Sequence, residues 1–358
     1  MKIIQLMPTI VYGDAVSNDA IAINRVLQVK GYDTVIYAEN IGNRVPKESV
    51  KRYSFKQVKA SVGDNDIVIY HGSTGSGINR DIPFLPGRRI LRYHNITPSC
   101  FFHNYSDSAE TLTKKGLSQF ENLKDSFQSI IADSSFNMKN LVEMGYHCRM
   151  DVCPILIPFE DYRKKPDEET IERYHDGITN ILFVGRIAPN KKHEDLIASF
   201  YAYQKLYNPD SRLILVGSWD GMDRYYYRLL NYVEELGLKD KVVFSGHVSF
   251  SQILGFYRSA DLFLCMSEHE GFCVPLVEAM FFRIPIVAYN CCAIEETLGG
   301  GGLLIKEKKP EECAALMNWI IQNPEAQTYF KAEQEKRVKS LSEENVGKEM
   351  LRLILDKK

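Results

Sequence analysis

The chain has 358 residues, 45% of them hydrophobic and 25% charged. That length fits about two ordinary domains with sizeable cores, and the composition excludes disordered and fibrous classes. A formal net charge of -2 argues against nucleic acid as the main partner, because nothing offsets phosphate repulsion over the whole surface.

The opening MKIIQLMPTI contains the strand-like KIIQLM (2–7) and lacks a small-residue cleavage site, so no signal peptide is expected. DAIAINRVLQVKG (19–31) has helical spacing at Ile21, Ile23, Val26 and Leu27, then Gly31 as a stop. Further strands are expected at DTVIYA (33–38), DIVIYH (66–71), RILRYHNI (89–96) and SIIADS (129–134). SSFNMKNLVEMG (134–145) repeats the helical scheme with a serine cap and a closing glycine. Lys47, Lys51, Arg52, Lys56 and Lys59 fall close together; on a helix, several would share a face able to meet anionic lipid, and a solvated face is the competing reading. Around 158–180 the periodicity fails in PFEDYRKKPDEETIERYHDGITN, a charged stretch with two prolines, which reads as a link between domains.

The pattern restarts with NILFVGR (180–186), LILVGS (213–218), KVVFSGH (241–247), DLFLCMS (261–267), IPIVAYN (284–290) and GLLI (302–305). Helical stretches such as HEDLIASFYAYQKLY (193–207) separate them, and helices are expected across 310–358. Strand–helix alternation with continuously apolar strands implies parallel sheets covered on both faces. The expectation is an α/β chain of two Rossmann-like domains, 1–160 and 180–340, with 161–179 as linker and 341–358 as a final helix returning to the first domain. Eight scattered cysteines without a CxxC pair at metal spacing suggest reduced thiols, a cytoplasmic setting and no metal site. No apolar stretch reaches the roughly 18 residues of a membrane span; the best candidate, 271–294, is broken by Glu278 and Arg283.

Ligands of such sheets bind beyond the carboxyl ends of the strands, which directs the search to three junctions. In GRIAPNKKHEDL (185–196), Arg186 ends a strand and Lys191 and Lys192 precede a helix. Cations there suit a diphosphate, and solvated loop charges are the alternative. In VGSWDG (216–221), Gly217 allows close backbone approach and Trp219 offers an aromatic edge. In SEHEGFCVPLVEAM (267–280), Glu270 lies in a loop, Pro275 suits a first helical turn, and Glu278 is expected in that turn. Acids for sugar or ribose hydroxyls beside cations for a diphosphate describe a nucleotide-sugar site. His94, at a strand end, reads by itself as a structural hydrogen bonder, and Asp133 as a strand-end cap.

These junctions resemble family 4 of the retaining glycosyltransferases, which have the GT-B fold, two Rossmann-like domains with parallel sheets facing a central cleft. The E-x7-E motif matches Glu270 to Glu278, and the G-R-x-x-P-x-K motif matches GRIAPNK. FSGHVSFSQILGFYRSADLFL (244–264) and AIEETLGGGGLL (293–304) also fit, while GDAVSNDA (13–20) and RYHNITP (92–98) resemble a subgroup acting in bacterial surface-polysaccharide assembly. Lys192, where a glycine commonly follows, and the Ser218–Asp220 turn depart from the pattern.

The resemblance implies that Arg186 and Lys191 neutralise the donor diphosphate and the departing phosphate, and that Glu278 holds ribose hydroxyls. Glu270 would hold hydroxyls of the transferred sugar with the amides of Gly271, Phe272 and Cys273. His94 would face the donor sugar, and Gly13 and Asp14 would lie in the loop after the first strand. It implies a metal-independent, retaining transferase without a cofactor, using a UDP-, GDP- or dTDP-linked sugar. The acceptor would be a saccharide or lipid-linked saccharide, and the inner face of the cell membrane a place of peripheral contact. The competing classes are a non-catalytic nucleotide-sugar-binding subunit and a nucleotide-sugar epimerase on the same fold.

Overall fold

The computed structural model describes residues 1–11, 13–42, 45 and 50–356. The chain forms two compact units. One comprises Met1–Ser99, Thr111–Pro158 and Ser340–Lys358, the other Cys100–Glu110 and Phe159–Lys339.

The first unit is built on seven strands, β1 (Lys2–Ile10), β2 (Asp33–Ile41), β3 (Val50–Arg52), β4 (Ile67–Gly72), β5 (Arg88–Tyr93), β6 (Ser129–Ala132) and β7 (Arg149–Val152). They pair in parallel in the order β3-β2-β1-β4-β5-β6-β7. Alternation along each strand separates two cores. Ile4, Leu6, Val68, Tyr70, Leu91 and Tyr93 line one face of the sheet, and Ile3, Ile67, Ile69, Ile90 and Ile131 the other. The helix Glu343–Leu355 covers that second face with Val346, Met350, Leu353 and Ile354, whose spacing puts them on one helical stripe. Ser342 caps its start, accepting from the Asn345 amide, and Arg149 reaches Asp356 at its end, 2.8 Å away.

The second unit holds β8 (Thr179–Val184), β9 (Ser211–Val216), β10 (Val242–Gly246), β11 (Leu262–Cys265), β12 (Ile286–Tyr289) and β13 (Leu303–Ile305). Their parallel order is β10-β9-β8-β11-β12-β13, so the direction of winding reverses between β8 and β11. A crevice opens at such a switch point in doubly wound sheets.

The stretch 161–179 is more than a link. Asp167 caps a helix, Glu168–Tyr174, by accepting from the Thr170 amide at 2.9 Å, and the segment belongs to the second unit. Thr170 packs so closely on Gly255 that a Cβ there would come within 2.9 Å of it. Seven residues with only Thr170 and Tyr174 buried are too short to print a helical period on the sequence. The basic residues are also distributed differently from a single helix face. Lys51 and Arg52 are exposed on β3, Lys56 and Lys59 are exposed on the helix Phe55–Ser61, and Lys47 lies outside the described residues. Among the described residues no helix is long and apolar enough to cross a membrane.

Candidate functional site

The loops after β8 and β11, neighbours across the switch point, are stitched to each other. The Glu268 amide donates to the Asn190 carbonyl at 2.9 Å, and the Asn190 side chain donates to the His269 carbonyl at 3.1 Å. After β8 the chain makes a 3-10 turn, Pro189–Lys191, and Lys192 takes a left-handed conformation (φ 53°) before the helix His193–Leu206. The turn aims Lys191 at the second loop, where its Nζ lies 2.6 Å from Glu270 Oε1. Burial works against the Lys191 charge, and the adjacent Glu270 carboxylate more than restores it, so the ammonium is held above its usual range. Lys192 pairs with Glu268 at 3.3 Å and Glu194 at 3.7 Å. Arg186 is exposed, its guanidinium donating to the Asp220 carbonyl at 2.7 Å.

That last contact depends on the loop after β9 coming close. Gly217 has φ 155°, and a Cβ on it would lie 2.1 Å from the Gly185 carbonyl oxygen, so only glycine permits the approach. Trp219 stacks on Tyr226 with ring centroids 4.0 Å apart.

Gly271, Phe272 and Cys273 lead into the helix Val274–Phe281, with Cys273 left-handed at its cap (φ 72°) and Pro275 in the first turn. Glu278 is the fifth helical residue, one turn later than expected. Its two carboxylate oxygens accept from Tyr162 at 3.0 Å and from Tyr257 at 2.5 Å. Burial raises the Glu278 carboxyl above its ordinary value, and the two hydroxyls pull it back by favouring the charged form. A carboxylate has about four lone-pair directions, so Glu278 can still accept from a diol.

Gly13, Asp14 and His94 belong to the first unit. Asp14 caps the helix Ala15–Val29, its carboxylate accepting from the Ser17 amide at 3.0 Å and hydroxyl at 2.9 Å, with exposed Gly13 (φ 85°) before it. His94 is buried inside a polar relay. Gln5 donates its amide to the Ala20 carbonyl, which turns its oxygen toward His71 Nε2 at 2.8 Å. His71 is held neutral well below the usual histidine range, by burial first and the neighbouring His94 second. His71 Nδ1 and His94 Nε2 lie 2.9 Å apart and His94 Nδ1 lies 2.9 Å from Asp133, so both ring nitrogens of His94 are engaged.

Arg92 completes the cluster, bonded to Asp19 at 2.8 Å, Asp133 at 2.9 Å and the carbonyls of Cys153 and Pro154. Asp133 is thus a buried counter-ion rather than only a strand-end cap. Asp19, His71 and His94 bring one ligand atom each within 4.8 Å of one another, a trio that sequence reading missed. Those atoms are engaged by Arg92 and by each other.

The sequence reading also missed Tyr162 and Tyr257, which come to Glu278 from 116 and 21 positions away. Nothing local marks them. The relay partners of His94 escaped for the same reason, His71 and Gln5 being 66 positions apart.

Two Rossmann-like units, the second with paired charges at its switch point, define a GT-B class architecture. The same fold occurs in the Anabaena protein HepE, solved in complex with UDP and glucose, with a TM-score of 0.78 over 99% of each chain at 17% identity. Residues 167–337, within the second unit, match the model of the glycosyl transferases group 1 family, in agreement with the two motifs. Mannosylfructose-phosphate synthase of Agrobacterium fabrum is 38% identical over 111 residues, 30% of this chain and 24% of that protein. The O-antigen chain mannosyltransferase RfbU of Salmonella typhimurium is 31% identical over 199 residues, 55% of this chain and 52% of that one. The matches thus span about a quarter and about half of these two relatives.

Proposed function

We propose that the chain is a metal-independent, retaining hexosyltransferase. It moves a sugar from a nucleotide donor to a saccharide or lipid-linked saccharide in the assembly of bacterial surface polysaccharide. The observation that carries this reading is the Lys191–Glu270 pair, 2.6 Å apart at the switch point, with Arg186 on the same junction and Glu278 held by two tyrosines. Breaking a glycosidic bond to a nucleotide leaves negative charge on the diphosphate, and fixed cations placed where that charge grows lower the barrier. Arg186 and Lys191 take that role, Arg186 through its exposed guanidinium. Glu278 takes the ribose hydroxyls, and Glu270 takes hydroxyls of the transferred sugar. The amides leading into the helix at Val274 give a partial positive field beside them.

The O-antigen mannosyltransferase relative supports the pathway, and the HepE complexes support a nucleotide-sugar donor. Lys51, Arg52, Lys56 and Lys59 would supply peripheral contact with an anionic membrane, tested by cosedimentation with anionic vesicles over a salt series. The donor test is a metal-free thermal-shift panel of UDP, GDP, dTDP and their sugars on wild type and Glu278→Ala. A stabilisation by one nucleotide that the variant loses supports the reading. No stabilisation by any of them, in a folded wild type, overturns it.

A further inference from the structure

The loop after β12 carries two adjacent cysteines that the donor chemistry does not use. Cys291 Sγ and Cys292 Sγ lie 3.2 Å apart, and both sit against one carbonyl, that of Glu268, at 3.0 Å and 3.4 Å. The next residue, Ala293, donates its amide to the Glu270 carbonyl at 3.3 Å. The pair is thus wired to both ends of the short segment that presents Glu270. Cys292 is left-handed (φ 57°), a conformation that branched-backbone sterics disfavour outside glycine; it folds the loop so that the two sulfurs converge.

Both thiols are half-buried, open to small reagents. The hydrogen bond from Cys291, with help from His269 and the Glu270 amide, outweighs burial and lowers the Cys292 thiol, which favours its thiolate. The buried cysteines behave oppositely: burial pushes Cys153 up to about 12 and Cys313 up to about 11.

We propose that Cys291 and Cys292 form an oxidisable vicinal dithiol that couples thiol oxidants to the loop presenting Glu270; its link to catalysis rests on the donor-site reading above. With a hydroperoxide, the Cys292 thiolate attacks the peroxide oxygen and the O–O bond breaks, giving a sulfenic acid and an alcohol, or water from hydrogen peroxide. Cys291 then displaces hydroxide from that sulfur, leaving as water once protonated. One S–S bond forms, two thiol protons and two electrons are lost, and the peroxide is reduced. Neighbouring Cα atoms are about 3.8 Å apart, short of the roughly 4.4 Å lower bound for ordinary disulfides. The closed ring is therefore strained and easily reduced, the property of a reversible rather than a structural bridge. Closure removes the Cys291 S–H donor from the Glu268 carbonyl and loosens the segment that carries Glu270.

The test treats full-length protein with hydrogen peroxide, alkylates remaining thiols, and measures the tryptic peptide spanning 284–306, which holds no other cysteine. Wild type should lose about 2 Da there and resist alkylation, reversibly with dithiothreitol, before exposed Cys100 reacts. Cys291→Ser should stop at a sulfenic acid trapped by dimedone. Amide exchange across 268–273 should quicken in the oxidised wild type and not in peroxide-treated Cys291→Ser. Two alkylated thiols in that peptide at peroxide levels that modify Cys100 overturn the dithiol. Disulfide formation with unchanged exchange overturns the coupling to the loop. Nucleotide stabilisation of the reduced protein, read in parallel, reports on the donor site alone, so the failure of that reading is seen separately.

Discussion

Replacing Lys191 with Met keeps the length of the side chain and removes its charge, leaving Glu270 without the ammonium that stands 2.6 Å from it. The Lys191 side chain is 21% exposed and that of Glu270 10%, between the surface and buried regimes. Exposed pairs contribute about 0.2–1 kcal/mol and breaking a buried one costs about 3–5 kcal/mol, so the loss should be about 2 kcal/mol. For a unit of this size that corresponds to a fall of roughly 4–8 °C in Tm. Both tryptophans, Trp219 and Trp319, lie in the second unit, so urea unfolding followed by tryptophan fluorescence isolates the affected unit in a chain that need not unfold in one step. Because Glu270 raises the Lys191 ammonium, the pair's contribution is complete below the ordinary lysine value, about 10.4. It is lost as pH rises through the higher folded-state value. The gap between wild type and variant should be flat through neutral pH and close only in strongly alkaline buffer. Combining Lys191→Met with Glu270→Gln should give a coupling of at least about 1 kcal/mol, and turnover in Lys191→Met should fall by roughly 10²–10³. A fluorescence midpoint like wild type, zero coupling and intact turnover would refute the reasoning and reduce the contact to an incidental surface pair.

Three further outcomes are expected. Arg92→Met leaves Asp19 and Asp133 buried without their cation and should cost about 3–5 kcal/mol in the first unit; an early phase should enter the circular-dichroism melt while the fluorescence midpoint stays put, and an unchanged melt would count against the relay. Tyr257→Phe removes the donor to Glu278 Oε2 and with it a charge-assisted bond of about 1.5–3 kcal/mol. Nucleotide affinity should fall about tenfold or more by calorimetry. The drop should be larger in mildly acidic than in mildly alkaline buffer, because the hydroxyl favours the ionised carboxyl. His193 is pushed down to about 3, by burial first and the nearby Lys191 cation second. Its stability contribution is therefore present above the ordinary value of about 6.5 and lost as pH falls toward the folded-state value. His193→Phe should flatten the acid limb of the fluorescence-monitored stability curve by up to about 1.4 kcal/mol per pH unit, and an unaltered limb would show that another group titrates there.

What was legible in the sequence follows from distance along the chain. Arg186 and Lys191 fall within six consecutive residues, and Glu270 and Glu278 within nine, so each pair could be read as a spacing. Parallel order then does the long-range work, since the winding reversal makes the junctions after β8 and β11 neighbours. The resemblance, the motifs and the alternation of apolar strands all point to that junction. The relay in the first unit had no such help. Arg92 in RILRYHNI looks like an ordinary strand charge until the first helix supplies Asp19 and the end of β6 supplies Asp133. His94 then lies in the interior with both ring nitrogens engaged, in agreement with its local reading as a structural hydrogen bonder. Tyr162 shows the same limit in the other unit, because the charged, proline-bearing stretch that hid the helix Glu168–Tyr174 also hid a hydroxyl aimed at Glu278. A residue whose meaning depends on one partner more than a hundred positions away leaves no periodic trace, whereas an acid and a cation on adjacent strand ends leave one in every junction they occupy.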